Sequence, residues 1–231
     1  MCGRYVSPNE AAIERAWHIG RGNNNPFGTR YNAAPTQMLP VVRVHPERGR
    51  ELALLRWGLV PSWAKDASIG ARMINARGES VAEKPAFRAA FRRRRCLVPM
   101  AGFYEWQKAG ARKVPQFIRL LNAEVFAAAG LYEYWPGREG AEPIESYTII
   151  TTGANEMIAR LHDRMPVIVP ERQHEAWLDP RNEKTDALQK LLTPYPAEEM
   201  RAYPISLRVN NVKNDGPGLI EPVPGPINDE A

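Results

Sequence analysis

The chain has 231 residues, of which 44% are hydrophobic and 25% are charged, and its formal net charge is +5 at pH 7. This size and composition predict an ordinary soluble globular protein made of one large domain, or at most a close pair. No run of 18 or more apolar residues occurs and no signal pattern opens the chain, which argues against a membrane span and secretion. We therefore expect a cytoplasmic protein.

The chain begins with Met1 and Cys2, and Cys2 is small enough for a methionine aminopeptidase to remove Met1. Cys2 would then carry a free amine and a thiol on adjacent carbons. An unperturbed α-amino group has a pKa of roughly 7.7 to 8.0, so part of it is neutral near pH 7 and can attack an aldehyde. The tethered thiol can then close onto the imine as a five-membered thiazolidine. The pattern predicts an aldehyde-reactive terminus.

A helix is predicted soon after this terminus, because residues 7–10 form a capping box with Pro8 at the first helical position. Further along, strand-like runs outnumber helical ones. The predicted strands are 40–44, 52–57, 96–98, 103–106, 114–121, 125–132, 147–151, 167–169 and 202–208, and the predicted helices are 79–84, 86–93, 156–161, 171–178 and 185–192. Strands in groups indicate an α+β fold with a mostly antiparallel, barrel-like sheet and flanking short helices in a single domain.

The end of the chain differs in composition from the rest. Residues 214–231 are rich in proline and glycine, which is typical of an irregular, partly mobile tail. The sequence therefore predicts one domain over residues 1–213, followed by this tail.

No metal or cofactor site is predicted. His18, His45 and His174 lack metal-ligand spacing, and the sequence has no HExxH, CxxC or phosphate-binding loop. The second cysteine, Cys96, lies in an apolar run and is predicted to be a buried structural thiol. Two cysteines without paired spacing fit a reducing compartment.

The basic charge is concentrated in the first half of the chain. Residues 1–120 carry 21 Lys and Arg against 8 Asp and Glu, a net +13, whereas residues 121–231 carry 10 against 18, a net −8. Such asymmetry is typical of a face that binds a polyanion, although a solvated basic surface is equally compatible with it. Arg92 to Arg95 follow an apolar helical stripe, so they can also complement a helix C-terminus.

Several polar motifs are too specific for core packing alone. They are Cys-Gly-Arg-Tyr at 2–5, Tyr-Asn-Ala-Ala-Pro-Thr at 31–36, Arg-Trp-Gly-Leu-Val-Pro-Ser-Trp at 56–63, Met-Ile-Asn-Ala-Arg-Gly-Glu at 73–79, Gly-Phe-Tyr-Glu-Trp at 102–106, His-Asp-Arg-Met-Pro-Val at 162–167 and Asn-Val-Lys-Asn-Asp at 211–215. In this order and over nearly the whole chain, they resemble the SOS-response-associated peptidase (SRAP) family, and a bacterial-type member of it. The resemblance implies covalent capture of abasic sites in single-stranded DNA through the N-terminal cysteine.

Residue by residue, the resemblance places the crosslinking nucleophile at Cys2 and the surrounding site residues at Asn75, Glu105 and His162. Opening the closed sugar and expelling water from the adduct both require proton transfers. Glu105 or His162 can carry those protons if burial raises the carboxyl pKa toward that of histidine. Asn75 offers a donor and an acceptor, which suits holding the N-terminal residue or a sugar oxygen.

DNA contacts are predicted on five further residues. Arg4 and Arg77 are the candidate phosphate ligands, because arginine offers a bidentate fork to phosphate oxygens. Trp63 and Trp106 are candidate stacking platforms for unpaired bases, with core packing as the competing interpretation. Asn32 is equally compatible with a DNA contact and with a turn beside a proline. The predicted partner is single-stranded DNA containing abasic sites, bound by a monomer without metal, cofactor or membrane.

Two other functions remain open on the sequence alone. Met-Cys-Gly also begins glutamine amidotransferases, in which the amine acts as base and the thiol attacks an amide. The basic first half favours DNA over this amidohydrolase, and 231 residues leave little room for a synthase domain. A nucleic-acid-binding module in which Cys2 is incidental is the third interpretation. The word peptidase further implies that the protein removes its own Met1.

Overall fold

A computed structural model describes residues 2–19, 27–45, 47–110, 112–138 and 140–224. These residues form thirteen strands and four α-helices, joined by turns and short 3₁₀ segments. The strands are β1 Tyr5–Ser7, β2 Arg30–Ala33, β3 Met38–His45, β4 Gly49–Trp57, β5 Asn75–Arg77, β6 Arg95–Met100, β7 Gly102–Ala109, β8 Arg112–Leu120, β9 Phe126–Trp135, β10 Ile144–Gly153, β11 Arg164–Pro166, β12 Ile168–Val169 and β13 Met200–Pro204. The helices are α1 Glu10–Trp17, α2 Arg88–Arg93, α3 His174–Leu178 and α4 Thr185–Gln189.

The strands build two sheets, which we call sheet A and sheet B. Sheet A has the order β13-β8-β7-β1-β2, and all its pairings are antiparallel. Sheet B has the order β11-β10-β4-β3-β6-β9-β12, with β9 also paired to β10 and β5 paired to β10 in parallel. The pairing of β9 with β10 arranges the strands of sheet B in a ring. The ring is not a closed barrel, because Val42 and Leu97 are the one pair of described residues in register between β3 and β6. The α+β, mostly antiparallel, single-domain prediction is confirmed.

The core lies in layers. Between the two sheets, alternate side chains of both pack together, including Tyr5, Phe103, Ile118, Trp57 and Ile149. The other face of sheet B is covered by the helices, and the other face of sheet A is covered by the segment 205–220. Burying this much apolar surface is the main stabilising term of the fold.

Helix α1 starts two residues later than predicted. Asn9, not Ser7, is its N-cap, because the Asn9 side chain accepts a hydrogen bond of 2.9 Å from the N–H of Ala12. Ser7 is instead the last residue of β1, where it pairs with Arg30. Strand pairing therefore takes precedence over the local capping pattern.

Three other local predictions are wrong. Residues 79–84 form turns rather than a helix, since Gly78 N–H bonds to Thr151 of β10 and Pro85 follows the segment. The predicted strand 202–208 ends at Pro204, and a 3₁₀ turn occupies 207–210. Segment 156–161 is likewise a 3₁₀ turn, at 158–160, rather than an α-helix.

Part of the predicted tail lies against sheet A. Ile205 pairs with Pro222, the Tyr203 hydroxyl donates 2.9 Å to the carbonyl of Ile220, and Leu219 is buried. Residues 225–231 of the tail lie outside the described residues. Within the described part of the chain, no helix is long and apolar enough to cross a membrane.

Arg95 explains one part of the basic run after α2. Its buried guanidinium donates to five carbonyl oxygens, those of Phe91, Arg92, Trp177, Asp179 and Asn182. Because two of those carbonyls belong to the last turn of α2, Arg95 satisfies a helix C-terminus and joins it to the segment after α3.

Candidate active site between the two sheets

Cys2 is fully buried at the start of the chain, in the core between the sheets. Two aromatic hydroxyls support this region, since Tyr5 and Tyr147 share a hydrogen bond of 2.7 Å. Trp57 packs edge-on against Tyr5 at a centroid distance of 5.2 Å and donates its indole N–H to Ile74. Tyr5, Trp57 and Tyr147, from β1, β4 and β10, thus form a closely packed aromatic cluster.

Asn75 is brought to Cys2 by β5. This short strand runs parallel to β10, with Asn75 opposite Ile149. Asn75 Nδ2 donates a hydrogen bond of 2.9 Å to the carbonyl oxygen of Cys2. Asn75 Oδ1 is buried and has no hydrogen-bond partner among the described residues. A buried acceptor beside Cys2 is therefore available to a ligand or to an amine on Cys2.

Glu105 lies on β7, where it pairs with Gln116 of β8 and is only 4% exposed. Burial raises the pKa of the Glu105 carboxyl to about 7, while the charge of the amino terminus opposes the shift. Burial also raises the pKa of the Cys2 thiol, and the Glu105 charge raises it further. The two groups are thus electrostatically coupled, with the thiol neutral and the carboxyl able to exchange a proton near neutral pH.

His162 lies in the loop before β11. Its Nδ1 accepts a hydrogen bond of 3.0 Å from the N–H of Arg164 and lies 2.7 Å from Asp163 Oδ1. Nδ1 cannot accept the hydrogen bond from Arg164 N–H and at the same time donate one to the Asp163 carboxylate. Burial lowers the His162 pKa and the Asp163 carboxylate is largely exposed, so the neutral ring with Nδ1 accepting and Nε2 protonated is the form favoured at pH 7.

Arg164 ties this loop to the motif around Asn75. Its guanidinium binds both carboxylate oxygens of Glu79, at 2.6 and 2.8 Å, and donates 2.7 Å to the carbonyl of Thr151. A bidentate pair of this kind restricts both side chains. The turn after β5 and the loop carrying His162 are consequently held together.

Arg4 and Asn32 lie together, but both make internal contacts. Arg4 Nη1 donates 2.8 Å to Asn32 Oδ1 and 3.1 Å to the carbonyl of Val209. Asn32 is 1% exposed, and its Nδ2 contacts the carbonyls of Val209, Asn211 and Asn214. Asn32 therefore anchors the segment 209–214 and positions Arg4, leaving only the rest of the Arg4 guanidinium for a ligand.

The other predicted DNA residues lie at different places on the surface. Arg77 is exposed at the end of β5, and Trp63 is 54% exposed in the loop after β4. Trp106 is half-buried and donates its indole N–H, 2.8 Å, to Asn210. Trp63 thus presents an open ring face to solvent, whereas part of the Trp106 ring packs against the segment covering sheet A.

Comparison with known proteins shows the family to which the chain belongs. The family model described as "SOS response associated peptidase (SRAP)" matches residues 1–212. The chain belongs to that family. The SRAP assignment agrees with the resemblance of the sequence motifs.

Relatives and solved structures agree with the SRAP assignment. The chain is 43% identical over 227 residues to abasic site processing protein YoqW of Bacillus subtilis (strain 168), covering 96% of this chain and 99% of that protein. It is 33% identical to abasic site processing protein HMCES of Gallus gallus, covering 84% of this chain and 66% of that protein. A crystal structure of a Bacteroides thetaiotaomicron protein superposes with a TM-score of 0.84 at 27% identity, covering 96% of this chain and all of that one.

Two features of this SRAP site were not assigned from the sequence. The Tyr5–Tyr147 hydroxyl pair and the Arg164–Glu79 pair both use residues that lie within or beside the motifs. The motif positions of Tyr5, Glu79 and Arg164 were the available signal. Their partners are 142 and 85 residues away in sequence, so motif spacing could not pair them.

Proposed function

We propose that this protein processes abasic sites by forming a covalent crosslink to them in single-stranded DNA, through the amine and thiol of Cys2 after removal of Met1. The observation that carries the proposal is the placement of Cys2. It is held by Asn75 and coupled electrostatically to Glu105, a carboxyl with a pKa of about 7. The names of the relatives, abasic site processing proteins, support the same substrate.

The amine is the first nucleophile in this scheme. The pKa of the Cys2 thiol is raised by burial, which disfavours the thiolate, whereas an α-amino group is partly neutral near pH 7. The amine attacks the C1′ aldehyde of the opened sugar and forms a carbinolamine. Protonated Glu105 gives its proton to the departing hydroxyl, which leaves as water, and a protonated imine remains beside the Glu105 carboxylate.

The thiol completes the adduct. Its sulfur bonds to the carbon of the protonated imine, the nitrogen keeps its own proton, and the thiol proton passes to the Glu105 carboxylate, which restores the protonated acid. The sum is one aldehyde plus one N-terminal cysteine giving one thiazolidine and one water. Because sulfur and nitrogen belong to the same residue, ring closure is intramolecular and favoured.

The amidotransferase alternative receives less support from the geometry. That chemistry requires the thiol to attack an amide, and the reactive form of a thiol is the thiolate. Burial and the neighbouring Glu105 carboxylate both raise the Cys2 pKa, so this site works against a thiolate. A neutral thiol adding to a preformed imine does not need that ionisation.

The same site is proposed to act on two further bonds. Removal of Met1 would expose the Cys2 amine, which gives the word peptidase in the family name a role in preparing the reagent. Proton transfer by Glu105 or His162 at the crosslinked sugar would also permit strand cleavage, a lyase reaction. Both activities are tested by the masses of the protein and of the DNA product.

The deciding experiment is mass spectrometry of the purified protein, alone and after mixing with abasic single-stranded DNA. We expect a mass lacking Met1, and then an adduct equal to protein plus DNA minus one water. Intact DNA of the same sequence should give none. Cys2→Ser should give only a labile imine that borohydride traps, and the proposal is falsified if Cys2→Ala, with Met1 removed, forms the same heat-stable adduct.

A further inference from the structure

The outer face of sheet A, away from the active-site core, carries two arginines directly opposite one another. Arg119 of β8 pairs with Arg201 of β13, and both are exposed. Like charges directly opposite in an antiparallel pair are destabilising. In the described part of the chain, neither arginine has a carboxylate within ion-pair distance. This uncompensated pair indicates a need for an anion.

The surroundings of the pair form a pocket. A cavity of about 220 Å³ is lined by Arg119, Leu121, Arg201, Tyr203 and Pro222. The Arg201 guanidinium lies 5.7 Å from the centroid of the Tyr203 ring, within the range of a cation–π contact. The Tyr203 hydroxyl is bound to the carbonyl of Ile220, so the ring itself is held in place.

The guanidinium groups keep donors available for a ligand. Arg119 Nε donates a hydrogen bond of 3.1 Å to the carbonyl of Leu120. The two terminal nitrogens of the Arg119 guanidinium can therefore bind a ligand. The acidic residue beside β13, Glu199, accepts a hydrogen bond of 2.8 Å from the Tyr195 hydroxyl rather than one from either arginine. Two arginine forks on one face are suited to phosphate oxygens.

The position of the pocket connects it to the active site. Tyr5 pairs with Phe103 and Phe103 pairs with Ile118, so Ile118, the neighbour of Arg119, lies two strands or roughly 10 Å from Tyr5. Alternation along the strands places Arg119 on the same face as Phe117, and Phe117 packs with Val6 and Tyr104. Arg4 lies two residues before Val6 and hydrogen-bonds Val209 of that same layer.

We infer that Arg119 and Arg201 form a second phosphate-binding site, which holds the DNA backbone of one arm beyond the abasic nucleotide. The inference rests on the proposed function in taking DNA as the ligand. The site positions the strand without reading bases, because it offers only charged donors and one aromatic ring edge. It also gives a use to an arginine pair that the fold itself does not require.

The test measures reversible binding to single strands that contain a tetrahydrofuran abasic analogue, which cannot crosslink. Three strands are compared: one with an arm of about ten nucleotides only on the 5′ side, one with that arm only on the 3′ side, and one trimmed to a few nucleotides on both sides. Arg119→Ala/Arg201→Ala should lose roughly tenfold in affinity for one of the one-armed strands, the loss expected for a charge-assisted contact. The salt slope for that strand should fall by about 1.4, for two phosphates.

The controls separate this site from bulk charge and from a folding defect. Lys184→Ala/Lys190→Ala removes the same charge from two exposed residues of the acidic half and should leave all three affinities unchanged. The melting temperature of the arginine variant should stay close to that of the wild type, because removal of the repulsion offsets the loss of the Arg201–Tyr203 contact and of the Arg119–Leu120 hydrogen bond. Equal losses on all three strands, an equal loss in the lysine variant, unchanged affinity, or a fall in melting temperature would each overturn the inference.

Two further measurements separate this inference from binding of a free anion and from the proposed function. If inorganic phosphate protects the wild-type protein against heat but the double variant binds every strand normally, the pocket serves a free anion and not DNA. Adduct formation by the wild-type protein on an authentic abasic strand is measured in parallel. Its absence would refute the proposed function, while an arm-specific loss of affinity would still support the phosphate site.

Discussion

The side-chain amide of Asn75 donates a hydrogen bond of 2.9 Å to the carbonyl oxygen of Cys2, so β5 holds the residue proposed to react. Because β5 is itself paired to β10, the contact connects the chain terminus to the sheet B framework. In the proposed reaction, this contact would restrict the direction in which the Cys2 amine approaches a sugar. It therefore supports a positioning role for Asn75.

Replacement of Asn75 should slow crosslinking more than it weakens DNA binding. Asn75→Ala removes both the donor to Cys2 and the buried acceptor Oδ1, and a misplaced nucleophile can cost about 10²-fold in rate. Asn75→Asp keeps the shape but puts an acceptor against a carbonyl oxygen, so it should be at least as slow. Asn182→Ala, in the segment after α3, is the control, and single-turnover gels give the rates. An Asn75→Ala protein that crosslinks at the wild-type rate would remove this role.

The sequence motifs predicted Cys2, Asn75, Glu105 and His162 as site residues, but not the contact between Asn75 and Cys2. Asn75 reaches Cys2 through a three-residue parallel strand, and such pairing depends on β10, more than seventy residues further along. Local patterns do not report long-range register. The grouping of strands, in contrast, was legible because alternating apolar residues and turn signals are local properties.

The contacts of Asn32 were also beyond prediction from local sequence patterns. Its neighbourhood, Tyr-Asn-Ala-Ala-Pro, was compatible with a turn or a DNA contact. In the structure its amide is saturated by backbone carbonyls 177 to 182 residues away and by Arg4. Nothing within reach of a local pattern indicates those partners.

Asn32→Ala should therefore destabilise the whole domain. The substitution leaves the Asn211 and Asn214 carbonyls without the Asn32 amide, while the Val209 carbonyl and Arg4 keep only their hydrogen bond to each other. Each buried group left unsatisfied costs about 1 to 3 kcal/mol. We expect a total loss of about 2 to 4 kcal/mol, because part of the segment 209–214 can move to solvent. Urea unfolding measures it, with Asn210→Ala, which removes only the Trp106 contact, as the control. Equal stability of Asn32→Ala and wild type would return Asn32 to the candidate DNA contacts.

Glu105 should make stability fall as pH rises. Its folded pKa of about 7 exceeds the unfolded value of 4.5, so the folded state binds more protons between those two pH values. The stabilising contribution of the neutral carboxyl is complete below pH 4.5 and is lost by pH values above 7, on the order of 3 kcal/mol. Glu105→Gln stays neutral, so its stability relative to wild type should increase over the same window. Unfolding curves at pH 5 and pH 8 that differ equally in both proteins would contradict the raised pKa.

Arg77 should contribute to DNA binding without reading sequence. It is exposed beside Asn75, and among the described residues it has no ion pair within 4 Å. Arg77→Ala should weaken binding to abasic and intact single strands alike, and the salt slope should fall by about 0.7 for one lost phosphate. Arg15→Ala, on the exposed side of α1, is the matched control. Unchanged affinity and slope in Arg77→Ala would assign the residue to the fold.

The last prediction separates the roles of Glu105 and His162. Glu105 is buried beside the thiol with a pKa near 7, which suits an acid for imine formation, and Glu105→Gln should slow crosslinking by about 10²- to 10⁴-fold at nearly constant DNA affinity. His162 is neutral at pH 7, and its Nδ1 accepts a hydrogen bond from Arg164 N–H. We expect it to act chiefly when the ring reopens, by carrying a proton to the sugar oxygen or the sulfur.

His162→Ala should thus change adduct release more than adduct formation. His162→Asn is the informative companion, because its side-chain oxygen can still accept the Arg164 N–H while no titratable group remains. If the proton of His162 matters, the Asn and Ala variants should release equally slowly. If only the loop position matters, Asn should restore the wild-type rate. Timed gels of adduct transfer to a competing abasic strand, run from pH 5 to 8, measure this, and equal slowing of formation and release by both the Glu105 and His162 substitutions would show that the two residues share both steps.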